Sequence, residues 1–437
     1  MNNIKEKFYL KCVDCQHITA GFEEWFSQNQ KCPSCGSKHS EIWYNSNYEF
    51  LFPLLKHKPE NFWHYYPFLP LYDRDNIITC TEGSIPVEHW RFLEEIALKK
   101  YHIDCKVFVY RNDLNGGTGT FKDVAAALAA AVLKEHNINQ YVVASTGNTA
   151  TSYARYLALA GINCSVFIPD NALKDSEAAI SLFGQNVYRV NGDYATAKTV
   201  AAAYAKTNNI LISSGNIDPL RVEAKKTMVF EWLRQLGKMP DVYIQAVSGG
   251  TGPIAIDKAV REIKGIIQNI DNPRFILIQP DKCPPMALSW EKARKKGFPD
   301  GFEKEYTILD NPQTSVPTLA TGNPATYPII AKLVQKTKGD IIQVEESHLT
   351  AYARLTAFET KVLIGPASAV CLAGFFKALA NKLIKNGETV LVNIGEGVNR
   401  ASAFVKEMSH PTQNIDSAHE CKPHSMHVLR QKFWDDV

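Results

Sequence analysis

The 437-residue sequence carries almost no excess of charge: 48 lysines and arginines stand against 45 aspartates and glutamates, a formal net charge of +3. So even a balance, with no long basic block, gives no pull toward nucleic acid or an anionic membrane, and small molecules are the expected partners. Long apolar runs are also lacking. The longest, 125–133, falls far short of a membrane span, and the opening residues hold no apolar core of signal-peptide type, so a cytoplasmic location is expected. There is no regular disulfide framework. Six of the ten cysteines (Cys80, Cys105, Cys164, Cys283, Cys371 and Cys421) are scattered singly, which fits a reducing compartment. Nucleotide-binding strings are missing too. No G-x-x-x-x-G-K-[ST] motif occurs, and after Gly117 and Gly119 comes Lys122 where a dinucleotide fingerprint needs its third glycine.

What is present reads as a globular chain, with 45% hydrophobic and 21% charged residues. Its length suits two or three domains, or one large α/β body with an appended module. The other four cysteines form Cys12-x-x-Cys15 and Cys32-x-x-Cys35 with sixteen residues between the pairs, the spacing of a structural zinc site. Four thiolates close a tetrahedral shell and leave no position for water, so a zinc ion here would be structural. Such ribbons also occur in nucleic-acid proteins, but this one has no basic surround.

An aromatic-rich connection follows over 46–104, with Phe62, Trp63, Tyr65, Tyr66, Phe68 and Tyr72 expected to pack the first segment onto the body. From 105 onward, strands expected at 107–110, 141–144, 165–168, 187–190, 210–212, 242–247, 275–278 and 390–394 alternate with helices. The helices are expected at 122–136, 149–160, 175–183, 194–206, 223–236, 254–263 and 367–383. This is the pattern of an open, mostly parallel α/β sheet covered by helices, in which ligands bind at the carboxyl ends of strands. A helix-rich stretch, 281–345, is expected to cover the mouth of the site. Cys283 within it reads as a packed thiol rather than a nucleophile.

The glycine-rich turns carry the chemistry. The first, Asn115-Gly116-Gly117-Thr118-Gly119-Thr120-Phe121-Lys122-Asp123, leads into an alanine-rich helix and puts Lys122 in its first turn. The helix dipole there disfavours a cation, lowers the amine's pKa and favours the neutral form that attacks an aldehyde. The second turn, Ser145-Thr146-Gly147-Asn148-Thr149, offers hydroxyls, an amide and free N–H groups to an anion such as a carboxylate, or simply caps its helix. A third, Ser248-Gly249-Gly250-Thr251-Gly252, is either a tight turn or a nest of N–H groups able to hold a phosphate, with a helix expected from near Pro253. A fourth, Gly395-Glu396-Gly397, follows the last strand.

In this order, and with Asp218-Pro219-Leu220-Arg221-Val222-Glu223, these motifs resemble threonine synthase and its relatives among the fold type II, tryptophan-synthase-β-like enzymes of pyridoxal phosphate (PLP). The resemblance covers roughly residues 80–400, and an N-terminal ribbon also occurs in some threonine synthases. Residues Gly237 to Asp241, Gln245 to Val247 and Asn393-Ile394 look most like the cysteate synthase branch.

The resemblance implies two three-layer open twisted-sheet subdomains and a homodimer. It further implies that Lys122 is the Schiff-base lysine and proton shuttle, that Asn148 bonds the cofactor's 3′-oxygen, and that Ser248, Gly249, Gly250, Thr251 and Gly252 cradle its phosphate. Ser145, Thr146 and Thr149 would hold the substrate carboxylate, and Arg221 the substrate phosphate. The implied organisation is a ribbon over 1–45, a connection over 46–104, a catalytic body over 105–405 with a small subdomain at about 120–230, and a polar, mobile tail over 406–437. In that tail His410, His419, Cys421, His424 and His427 offer a second, less favoured metal site.

Three residues depart from the family pattern. Val124 stands where an arginine is usual, Glu396 where threonine synthases have histidine, and Ile394 where a threonine or serine normally faces the pyridine nitrogen. Either Asn393 or another residue takes over that contact, or the electron sink is weak and favours elimination at Cβ. The expected activity is therefore cysteate synthase-like β-replacement on O-phosphoserine with phosphate release. Threonine synthase chemistry on O-phosphohomoserine is the alternative within the family, and a cofactor-free binding or scaffold relative the alternative outside it.

Overall fold

Each C-x-x-C pair of the first segment lies on a tight turn. Gln16 N donates to Cys12 O at 3.0 Å and Gly36 N to Cys32 O at 2.8 Å, and Gly36 takes the positive φ of 74° that such a turn requires. The computed structural model describes residues 6–409, 414–417 and 425–437. Among the described residues thirteen strands run β1 (Phe8–Cys12), β2 (Ile18–Thr19), β3 (Ser40–Tyr44), β4 (Val87–His89), β5 (Lys106–Arg111), β6 (Gln140–Ala144), β7 (Asn163–Pro169), β8 (Asn186–Val190), β9 (Leu211–Ile212), β10 (Val242–Ala246), β11 (Arg274–Pro280), β12 (Asp340–Val344) and β13 (Thr389–Ile394). The ribbon is the antiparallel sheet β2-β1-β3. Alternate side chains of β1 and β3 turn inward, among them Phe8, Leu10, Ile42 and Tyr44.

The body holds a six-stranded sheet of order β12-β11-β10-β13-β5-β4, parallel except for β4, and a parallel four-stranded sheet of order β8-β7-β6-β9. In the larger sheet the period-2 alternation of each strand feeds two cores. Val107, Val109, Ile244, Ile276, Val392 and Ile394 face one core, with the Pro366–Ala380 and Leu349–Thr360 helices. Tyr243, Phe275, Leu277, Ile341 and Leu391 face the other, with the Pro219–Leu236, Thr251–Ile263 and Tyr327–Lys336 helices. Helix, sheet and helix make three layers, the α/β architecture expected. Among the described residues no helix is long and apolar enough to cross a membrane.

Every strand expected from the alternation is present, with shifted ends. Three elements differ more. The helix expected at 223–236 starts at Pro219, because Asp218 accepts from Leu220 N at 3.0 Å as N-cap and proline suits the first helical position. The stretch 281–345 is not helical throughout, since it ends in β12 on the sheet edge. The tail closes in a helix, Met426–Asp435, which buries Phe433 and Trp434 against the body. Its His427 is exposed, while His410, His419, Cys421 and His424 lie outside the described residues. In the aromatic connection Phe62, Trp63, Tyr65 and Phe68 are buried as expected, whereas Tyr72 is largely exposed.

Candidate active site

Parallel pairing puts the carboxyl ends of β5, β13 and β10 side by side, so the turns that follow them converge. Phe121 N donates to Gly395 O at 2.9 Å, and Thr120 bridges to Glu396, which seats the first turn on the fourth. Lys122 is not in the first helical turn, as expected, but is the N-cap of the Asp123–Glu135 helix. Asp123 supplies the acid that the dipole calls for. Its buried carboxylate accepts from Thr118 Oγ1 at 2.6 Å, Thr118 N at 2.9 Å and Thr120 N at 3.0 Å, which pins the loop beside the lysine.

The Lys122 amine lies 5.0 Å from the centroid of the Phe121 ring. Burial lowers its pKa to about 8, Glu396 acts against that shift, and Arg221 adds to it. Glu396 is itself 4% exposed and is held by Ala367 N at 2.8 Å. Its other oxygen accepts from Asn148 Nδ2, while Asn148 Oδ1 accepts from Arg400 Nη2 at 3.0 Å. The carboxamide of Asn148 is thus fixed from both ends beside Lys122. Val124 is buried, and Arg400, which also donates to Thr118 O at 2.9 Å, is the guanidinium present at this point.

The third turn has the form of an anion cradle. Gly250 takes φ 75° immediately before the Thr251–Ile263 helix, whose start is two residues earlier than expected. A Cβ on Gly249 would lie 1.7 Å from Asn216 Nδ2, and one on Gly252 2.2 Å from Gln245 Oε1, so the backbone can approach only as glycine. Thr326 Oγ1 donates to Gly249 O at 2.6 Å, and Thr251 Oγ1 to Asn216 Oδ1 at 2.9 Å. Free N–H groups at such a helix start suit a phosphate.

In the second turn Gly147 N donates to Ser145 Oγ at 3.2 Å, which tightens the turn, and no side chain caps the Asn148–Leu159 helix that follows. The hydroxyls of Thr146 and Thr149 have no hydrogen-bond partner among the described residues. Arg221 is anchored through Nε to Tyr153 OH at 3.1 Å and through Nη2 to Ser213 Oγ at 2.6 Å, and it lines a cavity of about 310 Å³ shared with Asn216 and Thr326. The segment before β12 does reach this mouth, since Thr318 and Thr326 approach Gly147 and Gly249. Cys283 is fully buried and its thiol pKa is pushed up to about 12 by burial.

At the end of β13, Ile394 is buried in the apolar core, and the Asn393 carboxamide oxygen accepts from Asn112 Nδ2 at 2.7 Å. The Asn393 oxygen is therefore committed elsewhere. Two residues near the site went unread in the sequence, Arg400 and Lys225. Lys225 sits one turn beyond Arg221 with its amine 4.3 Å from the Phe121 centroid. Its only sequence signal was a basic residue four places after Arg221 on the same helix.

In the ribbon the Sγ atoms of Cys12, Cys15, Cys32 and Cys35 all lie within 4.8 Å of one another. Cys12 and Cys35 approach to 3.6 Å and Cys15 and Cys32 to 3.5 Å. Thiolates at the Zn–S distance of about 2.3 Å form a tetrahedron with edges of about 3.8 Å, so the four sulfurs fit zinc. The ribbon docks on the helices below the site. Tyr44 OH donates to Glu223 Oε2 at 2.8 Å, and Gln30 joins Ile212 O at 3.2 Å and Ser214 Oγ at 3.0 Å.

An amine with depressed basicity, a fixed amide and a glycine cradle for phosphate are the donors PLP requires, and they fit it. The model of the pyridoxal-phosphate-dependent enzymes matches residues 80–395. The threonine synthase of Methanocaldococcus jannaschii is 28% identical over 355 residues, 80% of this chain and 83% of that protein. The threonine synthase of Methanosarcina acetivorans is 27% identical over 422 residues, 94% of this chain and 98% of that one. The fold matches the crystal structure of a fungal L-serine ammonia-lyase from Rhizomucor miehei with a TM-score of 0.61 at 16% identity, covering 75% of this chain and 98% of that chain. The chain belongs to the family of pyridoxal-phosphate-dependent enzymes.

Proposed function

We propose that the chain catalyses β-replacement on O-phosphoserine, in the manner of a cysteate synthase, with release of phosphate. The observation that carries this reading is Ile394, fully buried at the end of β13 where the family pattern has a hydroxyl facing the cofactor's ring nitrogen. Without that partner the ring is a weaker electron sink, which suffices for loss of a group at Cβ and disfavours the deeper rearrangement of a γ-replacement.

In this reading Lys122 is the amine that holds the cofactor's aldehyde carbon, Asn148 faces its 3′-oxygen, and Ser248 to Gly252 hold its phosphate. When bound, PLP makes the substrate Cα–H acidic by delocalising the charge left behind. Lys122, with an amine pKa of about 8, takes that proton at Nζ and returns it. Ser145, Thr146 and Thr149 orient the substrate carboxylate. Arg221 orients the substrate phosphate with the planar fork of donors that group favours. Glu396 and Arg400 keep Asn148 in place. The four cysteines hold a structural zinc, the four-stranded sheet with its helices acts as the small subdomain, and the working unit is a homodimer.

A second reading, threonine synthase acting on O-phosphohomoserine, is supported by the names of the curated relatives. Following phosphate release from O-phosphoserine, with and without sulfite, and from O-phosphohomoserine separates the two. Faster release from O-phosphohomoserine would overturn the first reading. A scaffold without cofactor would lack the cofactor's visible absorbance, which a Lys122→Ala variant should lose if Lys122 holds it.

A further inference from the structure

Lys225 and Lys226 are neighbours on one helix, both buried, with opposite circumstances. Lys226 is matched by Glu223 at 2.5 Å and Glu262 at 2.9 Å. Lys225 is 3% exposed, and among the described residues its amine has no carboxylate, carbonyl or hydroxyl within hydrogen-bond reach. Its amine lies over the face of Phe121, 4.3 Å from the ring centroid, the same ring that has the Lys122 amine at 5.0 Å. The charged groups acting on it are Lys122 and Arg221, both cations, and together with burial they push its pKa well down. A cation–π contact offsets only about 0.5–2 kcal/mol. An unpaired ammonium buried among like charges costs more than that, so without an anion beside it the amine gives up its proton, and an oxyanion at this point would let it stay charged and hydrogen-bonded.

We infer that Lys225 and Arg221, one turn apart on the same helix face, form an anion subsite beside Lys122 that takes a small oxyanion. Two sources have this chemistry: the phosphate carried by the substrate, and a free oxyanion nucleophile of the sulfite type. With Arg221 holding the phosphate, Lys225 is left for the entering nucleophile; this assignment rests on the β-replacement proposed above. The exchange balances without an oxidant or reductant. The Cβ–O bond breaks with its electron pair leaving on phosphate, the sulfur lone pair forms the Cβ–S bond, and the Cα proton removed by Lys122 is returned.

The test uses the cofactor-loaded enzyme. Binding of sulfite and of inorganic phosphate is titrated through the cofactor's absorbance and through the thermal midpoint, in wild type, Lys225→Gln and Lys225→Arg. Lys225→Gln is expected to weaken oxyanion binding about tenfold or more, the weight of one charge-assisted hydrogen bond, and Lys225→Arg to restore most of it. A rise in the KM for sulfite that exceeds any rise for O-phosphoserine identifies the nucleophile as the source; the reverse identifies the substrate phosphate and keeps the subsite. If O-phosphoserine is not a substrate, the binding titrations still decide. Equal oxyanion affinity in wild type and Lys225→Gln overturns the inference.

Discussion

The phenol of Tyr44, on the last strand of the ribbon, donates to Glu223 Oε2 at 2.8 Å, two residues along the helix from Arg221. The ribbon also reaches Arg221 by a second route, since Gln30 holds the 212–214 segment whose Ser213 hydroxyl accepts from the guanidinium. Tyr44→Phe leaves a buried carboxylate short of a donor, and a cost of about 1–3 kcal/mol is expected. Denaturant unfolding reads it directly. With zinc held by the four cysteines as proposed, stripping it with a chelator should lower the thermal midpoint and also weaken inorganic phosphate binding, because both routes then lose their anchor. Phosphate affinity that survives chelation unchanged would separate the ribbon from the site.

Beneath that contact lie Glu223, Lys226, Lys258 and Glu262, with the Lys226 amine 4.1 Å from the Tyr44 ring and the Lys258 amine 4.3 Å from the Trp43 ring. Two cations and two anions are balanced only as a set. Lys226→Met leaves one buried carboxylate without a partner and is expected to cost about 3–5 kcal/mol. Adding Glu262→Gln should recover part of the loss, since it removes the charge left over. A single variant as stable as wild type in urea would mean that water already screens the cluster.

Capture of the cofactor should follow the titration of Lys122. Its pKa, lowered to about 8 by burial, lies below the ordinary 10.5 of the unfolded chain. Between those two values the folded cofactor-free protein binds fewer protons than the unfolded one, so its stability rises with pH across that window. The neutral amine is the attacking form, about a tenth of the population at pH 7 and half at pH 8. Growth of the visible band after adding PLP to the cofactor-free protein is therefore expected to accelerate up to about pH 8 and then level. Glu396→Gln removes the charge that raises the Lys122 pKa, so the midpoint should move to lower pH. A midpoint near 10, or one indifferent to Glu396, would contradict the geometry.

Much of this site was legible because glycine, asparagine and hydroxyl residues at a strand-to-helix turn have few structural uses other than capping and anion binding. Cys12, Cys15, Cys32 and Cys35 were legible by spacing alone. The edge strand β12 was not, because it opens on Asp340 and keeps Gln343 exposed, so it carries little of an apolar run. Lys225 and Lys226 carry no mark of burial in the sequence, because it is the Asp123–Glu135 and Thr251–Ile263 helices, distant along the chain, that pack around the Pro219–Leu236 helix and bury it through Trp232. A helix enclosed on all sides loses the amphipathic pattern by which faces are told apart. Arg400 follows the last turn outside any element, and no local rule aims it at Asn148.

The choice between β- and γ-chemistry can be tested at one position. Ile394 faces the core formed with the Pro366–Ala380 helix, so Ile394→Thr buries a hydroxyl and is expected to cost about 1–3 kcal/mol. If that hydroxyl meets the ring nitrogen, the electron sink deepens, and phosphate release from O-phosphohomoserine should rise relative to release from O-phosphoserine. The ratio of the two kcat/KM values is the proper measure, because it cancels any loss of folded enzyme. Ile394→Val, which trims the side chain without adding a donor, should leave the ratio where it was. A ratio that moves equally in both variants would assign the effect to packing and remove Ile394 as the basis for the proposed preference for chemistry at Cβ.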